Sequence, residues 1–348
     1  MIYDFSFLYV SENYSTDHHF DYQAEPERLT LGTWLRHAIL LIATFCTTTI
    51  AGVVPPFGYE VEAPKAVLAA LDDPLAHLSW IPTLYVTYLI DVVYHLFTDP
   101  LILKKGLEFS LPLLFILFCH EMGHYIACRI YGVNATLPYF IPTPPMVAAG
   151  TFGAVIRIKS PMTTRKIIFD IGVAGPIAGF IALIPVAIIG VAGMKIEPPG
   201  PVPPGSLIFA DPLFMKLIGA ALGKDLTFGV GNSFYFAAWI GLLVTGLNLI
   251  PSGQLDGGHA IYAALGEKIH SWTGKIAFVV MSLLSVLGLV FFGSPSGFLV
   301  AILLGFMMRI GHPRPWDDSP LDSKRKVIAI LTLVIFFVSF NPFPIRIT

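Results

Sequence analysis

The sequence predicts an all-α, multi-pass membrane protein with about six to eight transmembrane helices and one re-entrant extended segment. Three observations carry that expectation. Only 13% of the 348 residues are charged and 55% are hydrophobic, whereas soluble domains carry about 25% charged residues; mean hydropathy is +0.73. Apolar runs long enough to cross a bilayer recur along the whole chain. One further apolar segment is so rich in proline and glycine that it cannot be a regular helix.

In chain order, residues 1–34 read as a polar tail. The start, MIYDFSFLYVSENYSTDHH, lacks the charged region and apolar core of a signal peptide. His18 and His19, beside Asp17 and Asp21, are read as part of that tail rather than as a metal site. A span needs roughly 20 mostly apolar residues. Stretches near 35–56, 79–97, 109–131, 167–193, 232–250, 275–293, 296–310 and 327–343 approach that template. The second is interrupted by Asp91 and His95, and the seventh is short. Residues 207–222 are too short to cross. Residues 137–158, LPYFIPTPPMVAAGTFGAVIRI, contain four prolines and two glycines. Non-helical backbone survives at membrane depth only beside protein or a watery cavity, so this stretch is expected to re-enter the membrane, with TFGAVIRI extended. The loop 194–231 holds a stiff proline-rich spacer, EPPGPVPPG, and is too small for an inserted domain.

Basic residues set an orientation. Arg157, Lys159, Arg165 and Lys166 cluster in one loop, and Arg309, Arg314, Lys324, Arg325 and Lys326 in another, so both loops are expected on the cytoplasmic side of the cell membrane. Lys104 and Lys105 then fall on the outer side, against the trend. The expected organisation is a tail (1–34), accessory spans (35–104), a membrane core (105–270) and C-terminal spans (271–348). A net charge of −2 gives no footprint for nucleic acid. Cys46, Cys119 and Cys128 lack CxxC spacing, so neither a disulfide framework nor a thiolate metal site is expected.

The chemistry lies in HEMGH, His120 to His124, inside the third span. On a helix, i and i+4 share a face, so both imidazoles can ligate one metal while Glu121 stands beside it to take a proton from bound water. Neutral nitrogen ligands with an open position suit catalytic zinc. A histidine pair hydrogen-bonded to neighbouring helices is the bland alternative, but three ionisable groups within five positions of a span are functional by default. For a third ligand the best candidate is Asp256 in NLIPSGQLDGGHAI (248–261), a carboxylate at membrane depth that needs a cation. An N-cap role fits Asp256 as well. His259, three residues on, could support the site or be a ligand itself, and a hydrogen-bonded structural role is the preferred reading. Asp170, one turn from Lys166, needs only a salt bridge or the helix dipole. Gly175 and Gly179 in GVAGPIAGF (172–180) give small-xxx-small spacing for close helix packing around the site.

HEMGH in a span, a distal N-x-x-P-x-x-x-L-D-G-G (Asn248 to Gly258) and a G-T-F-G segment (150–153) between them resemble the site-2 protease family of intramembrane zinc metalloproteases. The similarity covers roughly 105–270. It implies a Zn2+ ion bound by His120, His124 and Asp256, with Glu121 as general base. It also implies that Asn248 helps hold the substrate backbone. The segment from Gly150 through Phe152 and Gly153 to Ile158 would offer an extended edge to an unwound substrate helix. The implied activity is hydrolysis of peptide bonds in or near transmembrane segments of membrane-protein substrates within the lipid bilayer. Between the two motifs there is no room for a PDZ domain, so substrate selection through one is not expected. A catalytically silent relative that binds and stabilises membrane partners is the alternative. A di-iron membrane enzyme would need more histidines, and a transporter would need no glutamate base.

Overall fold

The computed structural model describes residues 2–3, 30–58, 61, 81–197, 200, 205–309 and 315–348. Most of the expected tail, including His18 and His19, lies outside them, as do Arg314 and most of the proline-rich spacer. All eight apolar stretches form helices: α1 (Leu31–Ala51), α2 (Ile81–Thr98), α3 (Pro100–Ile130), α4 (Arg165–Ala192), α6 (Ser233–Asn248), α8 (Glu267–Phe292), α9 (Ser296–Met307) and α10 (Ser323–Ser339). Two short helices join them, α5 (Leu213–Ala221) and α7 (Asp256–Leu265). By length and composition, α1, α4 and α8 are long and apolar enough to cross a membrane.

Local chemistry starts these helices where the sequence allows. Thr30, Asp99, Thr164, Asn232 and Asp322 each accept a hydrogen bond from a backbone N–H one turn inside α1, α3, α4, α6 and α10, the ordinary way to satisfy an orphan donor at a helix start. α3 begins well before its apolar run. Pro100 opens it, and Lys104 and Lys105 pair along the helix with Glu108 at 3.8 and 3.5 Å. That pairing offsets the two lysines that ran against the charge trend.

The chain is mostly helical, but "all-α" omits four two-stranded pairs among the described residues. The strands are β1 (Ile2–Tyr3), β2 (Tyr139–Pro142), β3 (Thr151–Val155), β4 (Arg157–Ile158), β5 (Lys195–Ile196), β6 (Leu207–Phe209), β7 (Gly229–Val230) and β8 (Ile345–Ile347). β2 and β3 form an antiparallel hairpin with an irregularity between Phe140 and Pro142, so TFGAV is extended as its composition requires. β1 runs parallel to β4, while β5–β7 and β6–β8 are antiparallel.

α3 and α4 form the centre, with α6 and α7 packed on α4, α1 on α3 and on the β2–β3 hairpin, and α8 and α9 paired beside α7. One core cluster gathers Phe109, Leu113, Ile116, Leu183, Ala187 and Trp239. A second gathers Cys128, Ile156, Phe169, Ile171 and Tyr262. Outside them the helices present leucine, isoleucine, valine and phenylalanine outward; Leu283, Val290, Leu299 and Ile302 are all at least 60% exposed. Such a belt far exceeds the apolar patches of soluble monomers and is the surface of a protein whose solvent is lipid.

The two basic loops meet. The backbone N–H groups of Trp316 and Asp317 both donate to the Thr163 carbonyl, and Arg165 donates to Asp317 through its backbone and to Ala263 through its side chain. Arg325 reaches from α10 to Asp170 of α4 through Nε at 2.9 Å and through Nη2, with the Tyr131 hydroxyl on the same carboxylate. Asp170 is thus held by a cation 155 residues away rather than by Lys166, a partner that helical spacing cannot reveal.

Candidate metal centre

His120 and His124 project from one face of α3 towards α4, and both are buried. A closely packed helix has no space for two imidazoles unless its neighbour gives way. The neighbour does so through glycine. A Cβ on Gly175 would lie 2.1 Å from His124 Nε2, and one on Gly179 would lie 3.0 Å from the His120 Cβ. Gly123, between the two histidines, approaches the Ala174 carbonyl so closely that a Cβ would sit 2.5 Å from it. The glycines of GVAGPIAGF therefore clear room for two particular side chains.

His124 Nδ1 lies 2.7 Å from the Ile171 carbonyl. A carbonyl only accepts, so Nδ1 carries the proton and Nε2 presents a lone pair. That Nε2 is 3.2 Å from His120 Nε2. Asp256 Oδ2 is 3.2 Å from His120 Nε2 and 3.3 Å from His124 Nε2. Asp256 is the first residue of α7, directly after an N-cap position held by Leu255, and its Oδ2 is turned to the imidazoles. The tight approach needs the glycines that follow it: a Cβ on Gly257 would lie 2.0 Å from the Leu249 carbonyl oxygen, and one on Gly258 2.3 Å from that of Gly253.

These three donor atoms form a nearly equilateral triangle, buried and with Asp256 Oδ2 in no aligned hydrogen bond. Converging lone pairs repel one another unless a cation lies among them. A tetrahedron about an ion with bonds of roughly 2.0 Å has edges of about 3.3 Å, which is the size of the observed triangle. The residues therefore fit a four-coordinate metal with three protein ligands and one open position.

Glu121 is buried beside the triangle, with Oε1 3.9 Å from His120 Nε2 and Oε2 without a hydrogen-bond partner. Asn248, the last residue of α6, brings Nδ2 to 3.4 Å from His120 Nε2. His259 is fully buried against Gly172 and stands outside the triangle. Asp91 and His95 face each other at 3.7 Å on a half-exposed part of α2. Cys119 sits next to His120 in sequence but is not among the donors.

The strand residues divide. Phe152 is 66% exposed, and Gly153, at φ 94°, has open space where a side chain would be. Gly150 is buried against the backbone of Thr47. The clearance glycines had only their spacing as a signal; what they clear for was visible nowhere in the sequence.

Residues 108–289 match the family model of Peptidase family M50. Among curated proteins the chain is similar to two from Arabidopsis thaliana. One is "Probable zinc metalloprotease EGY2, chloroplastic", 30% identical over 71% of this chain and 44% of the relative. The other is "Probable zinc metalloprotease EGY1, chloroplastic", 33% identical over 71% of this chain and 47% of the relative. The Oryza sativa subsp. indica EGY2 protein is 28% identical over 68% of this chain and 42% of its own length. The chain thus spans less than half the length of these relatives. The matched segment carries the donor triangle, the glutamate beside it and the strand hairpin between the two motifs, and on that match the chain belongs to Peptidase family M50.

Proposed function

We propose that this chain is a zinc metalloprotease that hydrolyses peptide bonds in or near transmembrane segments of membrane-protein substrates. The observation that carries the reading is the buried His120–His124–Asp256 triangle, sized for a tetrahedral ion, on helices whose outer faces are apolar. When bound, zinc lowers the pKa of a coordinated water towards about 7 and polarises a carbonyl. Glu121 supplies the proton traffic. Its unpartnered Oε2 accepts the proton released as the water attacks the scissile carbonyl, then returns it to the leaving amine. Asn248 offers an amide donor at the edge of the triangle for the substrate backbone. The His124 Nδ1–H bond to the Ile171 carbonyl fixes the imidazole tautomer, as the outer partners of ligating histidines do elsewhere.

The 137–158 segment acts as the re-entrant element, with 105–270 as the catalytic core and the flanking helices as accessory spans. Substrate enters as an unwound strand along β3. Phe152 and Gly153 touch it, and Gly150 contributes by shaping the strand rather than by contact. The triangle lies towards the end of α3 where the two basic loops meet, and the positive-inside bias supports a position on the cytoplasmic side of the cell membrane. The relatives named above are chloroplastic by name; the charge bias is this chain's own signal.

Purified protein in lipid vesicles is expected to hold about one zinc per chain, as structural precedent for three-ligand sites requires. It should cleave a labelled single-span substrate, stop when treated with 1,10-phenanthroline, and recover with added zinc but not magnesium, because the nitrogen donors disfavour the harder ion. Cleavage that survives chelation, or none with zinc present, defeats this reading.

A further inference from the structure

α1 lies outside the family-matched segment, yet it touches the strand hairpin at the entry to each strand. His37 is buried, its Nδ1 is 2.9 Å from the Pro138 carbonyl just before β2, and its ring packs on Tyr139 with centroids 4.1 Å apart. Thr47 Oγ1 is 2.7 Å from the Gly150 carbonyl just before β3. The other threonines on this face, Thr44, Thr48 and Thr49, lie nearest the carbonyls of their own helix, one turn back. Thr47 also lies 3.1 Å from the Ala43 and Thr44 carbonyls, but a hydroxyl has one proton and its shortest contact crosses to the hairpin.

The backbone there is unusual. Ala148, Ala149 and Gly150 have φ of 48°, 60° and 78°. Two non-glycine residues in succession in the left-handed region persist only where the surroundings over-determine them. α1 supplies that constraint. A Cβ on Gly150 would lie 2.5 Å from the Thr47 carbonyl oxygen, and the Gly150 carbonyl accepts from both the Thr47 hydroxyl and the Thr143 backbone N–H, the latter at 3.1 Å. α1 is itself fixed to α3, with Thr49 Oγ1 2.9 Å from Ser110 Oγ and Gly106 packed under the Thr49 carbonyl.

We propose that α1 is a positioning helix for substrate: His37 and Thr47, by holding the carbonyls at the entry to β2 and β3, set the course of the strand edge that the substrate pairs with. The inference rests on the proteolytic reading above. His37 and Thr47 touch neither the metal ligands nor the reacting atoms, so they are positioning residues, and their loss acts on substrate binding.

The test compares Thr47→Val, which keeps the shape and removes the hydroxyl, with Thr47→Ser, which keeps the hydroxyl. His37→Phe is set against His37→Asn, whose amide can replace the Nδ1 donor. In the zinc-loaded chain in vesicles, Thr47→Val and His37→Phe are expected to raise KM for a single-span substrate about 5- to 30-fold, the range one lost hydrogen bond allows. Their kcat should stay within about threefold, since no transition-state contact is removed. Zinc content should not change, and Thr47→Ser and His37→Asn should behave like the parent protein. Without substrate, amide exchange at 150–155 should quicken in Thr47→Val and not in Thr47→Ser. Equal exchange in the two Thr47 variants, or an effect on kcat and zinc content with KM unchanged, overturns the proposal. If the parent protein cleaves nothing while Thr47→Val still loosens 150–155, the proteolytic reading fails and the hold of α1 on the strand stands.

Discussion

Glu121→Gln is expected to lower turnover of a single-span substrate by about 10²- to 10⁴-fold, the span of general acid–base catalysis, while leaving one zinc per chain. The two effects separate because of where the side chain lies. Glu121 Oε1 is 3.9 Å from His120 Nε2 and the residue is buried, so it borders the donor triangle without being one of its corners. An amide of the same shape keeps that packing and cannot take the proton. Oε2, which has no partner in the described structure, is the atom whose basicity is lost. Single-turnover cleavage in vesicles, with elemental analysis of the same sample, reads both quantities. Cleavage at the parent rate would sink the mechanism. Joint loss of metal and activity would mean that Glu121 supports the ligands rather than the proton.

Much of this was legible in the sequence because the signals were local and periodic. Each of the eight apolar runs near span length became a helix, the one form in which such a segment pairs its own backbone N–H and C=O groups in lipid. Four prolines between Leu137 and Pro145 barred a helix there, and the segment is a hairpin. His120 and His124 share a face because i and i+4 must. The chemical need for a third ligand and the resemblance of the Asn248–Gly258 motif pointed to Asp256, whose carboxylate lies against both imidazoles.

What stayed hidden depended on contacts between distant segments. The Arg325 partner of Asp170 comes from α10. β8 closes on β6 across nearly the whole C-terminal half of the chain. Thr47 looks like one of three threonines in a run, and only its position opposite Gly150 distinguishes it. The glycines of α4 were the instructive case. Their spacing announced a close approach, but the generic expectation for small-xxx-small is backbone against backbone. That holds at Gly190, where a Cβ would meet the Tyr235 backbone, as it does at Gly123 of α3 against the Ala174 carbonyl. At Gly175 the approaching group is an imidazole.

That difference makes Gly175→Ala the sharpest test of the centre. The added methyl would lie 2.1 Å from His124 Nε2, 2.4 Å from Cδ2 and 2.5 Å from Cε1, distances no non-bonded atoms tolerate. Either the ring swings off the triangle or α3 and α4 separate, and both remove a ligand. Zinc affinity is expected to fall by more than the 10- to 100-fold typical of disturbing a ligand's outer partner, with cleavage falling alongside. Gly179→Ala should cost less, because its nearest contact is the His120 Cβ at 3.0 Å, which a few tenths of an ångström relieves. Gly190→Ala serves as the control. At 2.6 Å from the Tyr235 backbone N it is tighter than Gly179, but it sits four turns along α4 from Gly175, so it should lower thermal stability and leave the zinc affinity of the folded fraction alone. Competitive zinc titration with a chromophoric chelator orders the three variants. If Gly175→Ala binds zinc as tightly as Gly190→Ala, then His124 does not present Nε2 to the metal from this position. The order Gly175, Gly179, Gly190 instead follows from one geometric fact, that the metal-facing side of α4 is carved to the outline of two imidazoles.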